Sequence, residues 1–247
     1  MKKTILFMIS CAMGTVAFAQ VKEGKVIYER KVNMHARLTG EQASMKNMIP
    51  EFTTVKMELS FAGDQSMYKS VAEGEDIRET AGEGDGNRVV MRFRGTDDET
   101  YKNYSTGMTI QQRELGPKKY IIEDTLRKLA WKLDETGETK TIKGYNCKKA
   151  TTKNQQGSEV VAWFCDQIIS PSGPETYGGL PGMILELNVN NSETVFTTLE
   201  ISDKSDGKVV KAPTNGKKIS RQEFQKMLDD QFGSNPGGGP VIRIMRN

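Results

Sequence analysis

The sequence predicts a mainly β fold: a single curved antiparallel sheet, or a half-barrel-like meander, carrying one C-terminal helix. Three observations lead there. Short runs rich in valine, isoleucine, threonine and aromatics recur along the chain. Turn signals break them every eight to twelve residues, a spacing that suits a meander and not βαβ units. One segment near the C-terminus combines helical apolar spacing with start and stop signals.

The first 19 residues read as an export signal. Lys2 and Lys3 form a positive start, an apolar run follows, and Ala17-Phe18-Ala19 fits the small-x-small cleavage rule, leaving Gln20 as the mature N-terminus. The apolar run is too short to span a bilayer. Lipidation at Cys11 is the rival reading; it is disfavoured because Cys11 lies inside the apolar run. Residues 20–233 then form a single β-rich domain, and 234–247 a Gly/Pro-rich linker with a short tail, VIRIMRN. That tail is either a frayed end or a strand for a sheet edge. Removing Lys2 and Lys3 lowers the formal net charge from +3 to +1, so no basic field remains for nucleic acid. No later segment is apolar enough for a transmembrane helix.

In chain order, strands are expected at 25–32, 55–61, 66–72, 88–94, 108–114, 118–124, 129–134, 145–153, 159–166, 183–189 and 193–202. The charged runs EGEDIRE and TGETKTIK read as solvated surface. A helix is expected over 39–49, before Pro50, with a long loop as its alternative. AGEGDGN at 81–87 reads as a loop; it lacks the carboxylates of a calcium site. The C-terminal helix starts at Ser220, with Glu223 completing a capping box. Its stripe is Phe224, Met227, Leu228 and Phe232, and Gly233 stops it.

Two cysteines survive signal cleavage, Cys147 and Cys165, and both are centred on position 156. A hairpin through Gln155-Gln156-Gly157, with Gly157 in the left-handed region, pairs 153 with 159, 151 with 161, 149 with 163 and 147 with 165. Those are non-hydrogen-bonded pairs with Cα atoms about 4.5 Å apart, within disulfide reach. A cross-strand disulfide is therefore expected, contributing on the order of 3 kcal/mol. A redox or metal pair is the alternative, without C-x-x-C spacing to support it.

YGGLPGMILEL at 177–187 crowds glycine and proline ahead of a strand. It lacks the spacing and the following helix of a phosphate loop, and no esterase elbow is present. Pro181 and Gly182 suit the centre of a type II turn. Gly178 and Gly179 suit close backbone approach. Leu185, Leu187 and Val189 then share one face of a strand, with Glu186 and Asn188 on the other.

His35, the single histidine, has no partner motif and reads as locally bonded or solvated. Met57, Met67 and Met91 fall in separate strands and read as packing residues, not a copper site. The sequence thus offers no catalytic residue, cofactor motif or metal set.

Residues 129–187 resemble the core of the GLPGLI family, or Porph_ging domain, of exported Bacteroidetes proteins. The resemblance rests on Trp131-Lys132, KGYNCKKAT at 143–151, Ala162-Trp163-Phe164, Gly173-Pro174, and Gly179-Leu180-Pro181-Gly182-Met183-Ile184. Met183 replaces the leucine of the family's name, Ile169 stands at a common proline position and Ser158 at a common arginine position. Cys165 stands where threonine is frequent, which makes the disulfide a subgroup feature. The resemblance implies no known reaction. It implies an envelope protein, and the first reading is a non-enzymatic binding or accessory module, in the periplasm or at the outer membrane, contacting a partner protein. The alternatives are a lipid or lipoprotein carrier with an apolar half-barrel cavity and, more weakly, a metal-handling protein. Asp124-Thr125-Leu126 matches the short O-glycosylation signal of that phylum and makes Thr125 a candidate glycan site.

Overall fold

The computed structural model describes residues 20–38, 49–71, 77–80, 90–93, 98–204 and 210–232, with positions 40, 43, 46 and 47. The expected export signal, the 81–87 loop, the linker and tail at 234–247 and most of the expected helix at 39–49 lie outside the described residues.

The chain is mainly β. Its strands are β1 (Glu23–Asn33), β2 (Phe52–Ala62), β3 (Gln65–Ser70), β4 (Ile77–Thr80) and β5 (Val90–Phe93). Next come β6 (Glu99–Asn103), β7 (Met108–Leu115), β8 (Lys118–Thr125), β9 (Lys132–Leu133) and β10 (Thr139–Ile142). The last are β11 (Tyr145–Lys153), β12 (Glu159–Cys165), β13 (Met183–Val189), β14 (Thr194–Ser202) and β15 (Lys217–Lys218), followed by helix α1 (Arg221–Phe232). Thirteen strands form one open sheet, in the order β10-β11-β12-β13-β14-β1-β2-β3-β6-β7-β8-β15, with β9 also on β11. β4 and β5 pair separately.

Two meanders make this sheet, β1 to β8 and β10 to β14, and β1 joins them by pairing with β2 on one side and β14 on the other. An N-terminal strand in that position is covered on both edges, and its residues show it: Val26 and Tyr28 are fully buried. Pairing is antiparallel except at β15, which runs parallel to β8. Four strands depart from the sequence reading. β10 comes out of TGETKTIK and β4 out of EGEDIRE, both read as solvated surface. β6 and β15 lack the apolar alternation that marks a half-buried strand, since β6 carries polar residues on both faces.

The cysteine hairpin keeps its expected register, from Lys153 opposite Glu159 to Lys149 opposite Trp163. Gly157 has φ +80, and the Asn154 side chain accepts the backbone N–H of Gln156 and Ser158.

One face of the sheet, the inner face, carries the core. Leu59, Phe61, Leu187 and Phe196 are fully buried there with Val26 and Tyr28. Toward β3, β6 and β7 the same face turns polar: Ser66, Thr100, Lys102, Thr109 and Gln111 are all buried. Cross-strand pairing sets Ser66 opposite Lys102 and Lys102 opposite Thr109.

Helix α1 follows its capping box. Ser220 Oγ accepts the Glu223 N–H at 3.1 Å, and the Glu223 carboxylate accepts the Ser220 N–H at 2.9 Å. Phe224 meets Tyr120 with ring centroids 5.7 Å apart. The helix therefore docks at the β8 end of the sheet, and its stripe residues Phe224, Met227 and Leu228 are only half-buried. Ser220→Ala removes the cap, worth about 1 kcal/mol. Amide exchange across 221–232 should then rise about fivefold, with global unfolding unchanged, as read by hydrogen exchange.

Candidate functional site

Between β12 and β13 the chain folds across the inner face, and the family-like residues collect there. Ile168 forms a parallel bridge with Val21, and Ser172 an antiparallel one with Gly178. Ser170, Ser172, Gly173, Pro174 and Tyr177 are buried. Leu180, Met183 and Ile184 enter the core with at most 2% exposure.

Sterics explain the glycines. A Cβ on Gly178 would sit 2.0 Å from the Tyr104 hydroxyl, and one on Gly182 2.2 Å from the Cys165 carbonyl oxygen. A Cβ on Gly173 would meet Ile184 at 2.8 Å. Gly179 is different: its surroundings are open, and it is required by φ +87. The type II turn is corrected. Gly182 N–H donates to Leu180 C=O at 2.8 Å, closing a three-residue γ-type turn around Pro181. The Met183 N–H, which would close a type II turn, donates instead to the Ile168 carbonyl at 3.3 Å, and Gly182 sits at φ +150, a region that favours glycine.

Side chains from distant elements pin this segment. Trp131 donates its indole N–H to the Gly178 carbonyl at 2.9 Å, and Tyr28 its hydroxyl to the Ile184 carbonyl at 2.6 Å. Lys102, 1% exposed, donates to the Gly173 carbonyl at 2.7 Å and the Tyr177 carbonyl at 2.9 Å. Burial lowers its pKa to about 7, against a smaller opposing effect of Glu175. A neutral amine has two N–H groups, and both are used here. Arg30 reaches Glu175 at 2.8 Å, and its guanidinium lies 6.0 Å from the centre of the Phe196 ring. Glu175 holds φ +48, within a turn closed by Tyr177 N–H to Pro174 C=O. Tyr68 is buried, and among the described residues its hydroxyl has no hydrogen-bond partner. Burial raises the pKa of Tyr28, Tyr68 and Tyr104.

Of the residues singled out from sequence, Gly179 to Ile184, Trp131, Gly173 and Cys165 are brought together. Arg30, Lys102, Tyr104 and Glu175 were not foreseen. Lys102 sits in ETYKNYSTG, where nothing separates a buried lysine from a loop lysine.

Cys147 and Cys165 are both fully buried free thiols, so the expected disulfide is not formed in this structure. The ladder of β11 with β12 ends at Lys148 and Phe164, one pair short of the cysteines. A register shift in the β12–β13 pairing follows Trp163. The Cys147 thiol faces the Tyr145 carbonyl and the Cys165 thiol faces the Gln167 side chain, each at 3.6 Å. Burial pushes the Cys147 pKa up to about 12 and raises that of Cys165.

The remaining candidates stay apart. His35 Nε2 is 2.7 Å from the Ile49 carbonyl, a local bond. Met57 is partly buried and Met67 is 4% exposed, and Met57 packs on the core. Thr125 is exposed at the end of β8. No group of three metal-binding side chains occurs among the described residues. On the opposite face, a groove of about 360 Å³ is lined by Glu58, Lys69, Asp98, Glu99, Gln112 and Lys119. Its row of cross-strand partners, Glu58-Lys69-Glu99-Gln112, sets one lysine between two glutamates, with uncharged Gln112 at its end.

The pinned segment should leave a pH signature. Lys102 titrates near 7 when folded against 10.5 ordinarily, so its contribution is complete only above the unfolded value and is lost as pH falls. The thiols and tyrosines have the opposite sign, with raised folded pKa values, and they destabilise only above their ordinary values of 9.0 and 10.0. Denaturant midpoints of the reduced protein should therefore rise from pH 7 to 9, and Lys102→Met should flatten that rise. An unchanged slope in the variant would contradict a buried amine.

Among curated proteins none matches this chain. Crystal structures of PNGF-II in space groups P21 and C2 share the fold, each with a TM-score of 0.57, at 13% and 14% sequence identity. The similarity covers 85% of this chain, which spans about a third of each PNGF-II chain, 34% and 33%. Residues 152–186 match a family model described as "Protein of unknown function (Porph_ging)". That stretch runs from β11 through the pinned segment into β13, so the chain carries the Porph_ging segment, the family its motif residues resemble.

Proposed function

We propose that this chain is an exported, non-enzymatic binding or accessory module of the cell envelope that contacts a periplasmic or outer-membrane protein. The observation that carries this reading is the filled inner face: the segment 168–184 occupies it and is bonded to Tyr28, Lys102 and Trp131. A lipid carrier would need apolar space there, whereas buried Lys102, Thr109 and Gln111 make part of that face polar. The leader-like residues 1–19 and the family resemblance support an envelope location.

The test is to produce the full chain in a Bacteroidetes host, sequence its N-terminus, fractionate the cells and cross-link in place. The expected result is a start at Gln20, an envelope location and a reproducible cross-link to one envelope protein. A cytosolic chain starting at Met1, or no cross-link above a mock sample, would refute the reading. Co-purification of lipid at one molecule per chain would favour the carrier instead.

In an oxidising envelope, we place Cys147 and Cys165 in a disulfide, an envelope thiol oxidant accepting the two electrons and two protons. The native, non-reduced protein should weigh about 2 Da less than the reduced one. Equal masses would exclude the bond.

A further inference from the structure

The Arg30–Glu175 pair has features that a stabilising ion pair does not need. Glu175 is in the left-handed region at φ +48, where a residue with a Cβ is strained. Such strain persists when something holds it: here the turn is closed by Tyr177 N–H to Pro174 C=O and by the two Lys102 bonds, and the Arg30 guanidinium lies 2.8 Å from the Glu175 carboxylate. Arg30 is itself oriented, on central strand β1 and beside the Phe196 ring. Both side chains stay partly open to solvent, 28% for Arg30 and 37% for Glu175. Lys102 lies under the same turn, bonded to the carbonyls on either side of Glu175. Tyr68, 4% exposed, keeps a hydroxyl unpartnered among the described residues and within electrostatic reach of Glu175 and Arg30.

We propose that Arg30, with Tyr68 and Lys102 behind it, forms a carboxylate-binding site that Glu175 fills from within, and that a ligand carboxylate takes when the 173–177 turn relaxes. An intramolecular occupant is favoured by its high effective concentration. The strained backbone of Glu175 offsets part of that advantage, which makes exchange feasible. The ligand class is a carboxylate, borne either by a small acid or by an acidic side chain of a partner. The inference does not depend on the module reading, because its readout needs no native partner.

The test uses the full mature chain with Glu175→Gly, which removes the carboxylate and relieves the strain together. Sodium formate is titrated against sodium chloride at matched ionic strength while the melting temperature is followed. Formate should raise the Tm of the variant saturably by about 2–4 °C, with little effect on the parent protein, whose site is filled. Adding Arg30→Met should abolish the shift. A second arm replaces formate with a blocked glutamate peptide: a shift with formate alone assigns a small acid, and a shift with both assigns an acidic protein segment. Glu175→Ala, which also empties the site, provides the same readout should the glycine variant fold poorly. No formate-specific shift in either variant, or an equal shift without Arg30, would overturn the proposal.

Discussion

Two hydrogen bonds from one buried amine govern how this protein is put together. Lys102 stands on β6, at the polar end of the inner face, and donates to two carbonyls of a segment that follows β12. Burying an amine is costly unless its N–H groups are paired. Pairing them with main-chain oxygens at both ends of the Gly173–Tyr177 turn fixes that turn in place. The glycines are consequences of this closeness. Once the segment is drawn down onto the sheet, Gly178 lies against the Tyr104 hydroxyl and the Pro171 carbonyl, and Gly182 against the backbone of Cys165 and Asp166, so neither has room for a side chain.

The sheet supplies the other half of the constraint. Because β1 lies between β2 and β14, Tyr28 is brought from the start of the chain to the Ile184 carbonyl, across 156 positions of sequence. Trp131, before β9, closes the opposite side through Gly178. The GLPGMI motif is therefore a junction, where both meanders and the preceding connection meet. Gly182 serves close contact with a neighbouring backbone, Gly179 supplies a left-handed φ, and the leucine and isoleucine serve the core.

Local chemistry was legible in the sequence and long-range chemistry was not. The Ser220–Glu223 cap and the Asn154–Ser158 hairpin follow from residues a few positions apart, and both form as read. The inward set Leu185 and Leu187 follows from strict alternation. Pro181-Gly182 misleads because a type II turn is the usual outcome of that dipeptide, whereas the Met183 N–H that would close it is taken by the Ile168 carbonyl. The strand β6 and its lysine escape notice for a related reason: Lys102 is buried and bonded to a segment some 70 residues later, at 173–177. Glu175 has no sequence signature either, since its interest lies in a backbone angle.

The account stands on Lys102 holding the 168–184 segment against the sheet. Hydrogen exchange by mass spectrometry, comparing the parent protein with Lys102→Met under conditions where both are folded, tests that directly. The account predicts that peptides covering 170–184 lose protection by an order of magnitude or more, while β1, β2 and β14 keep theirs. Protection of 170–184 that is the same in both proteins would contradict it.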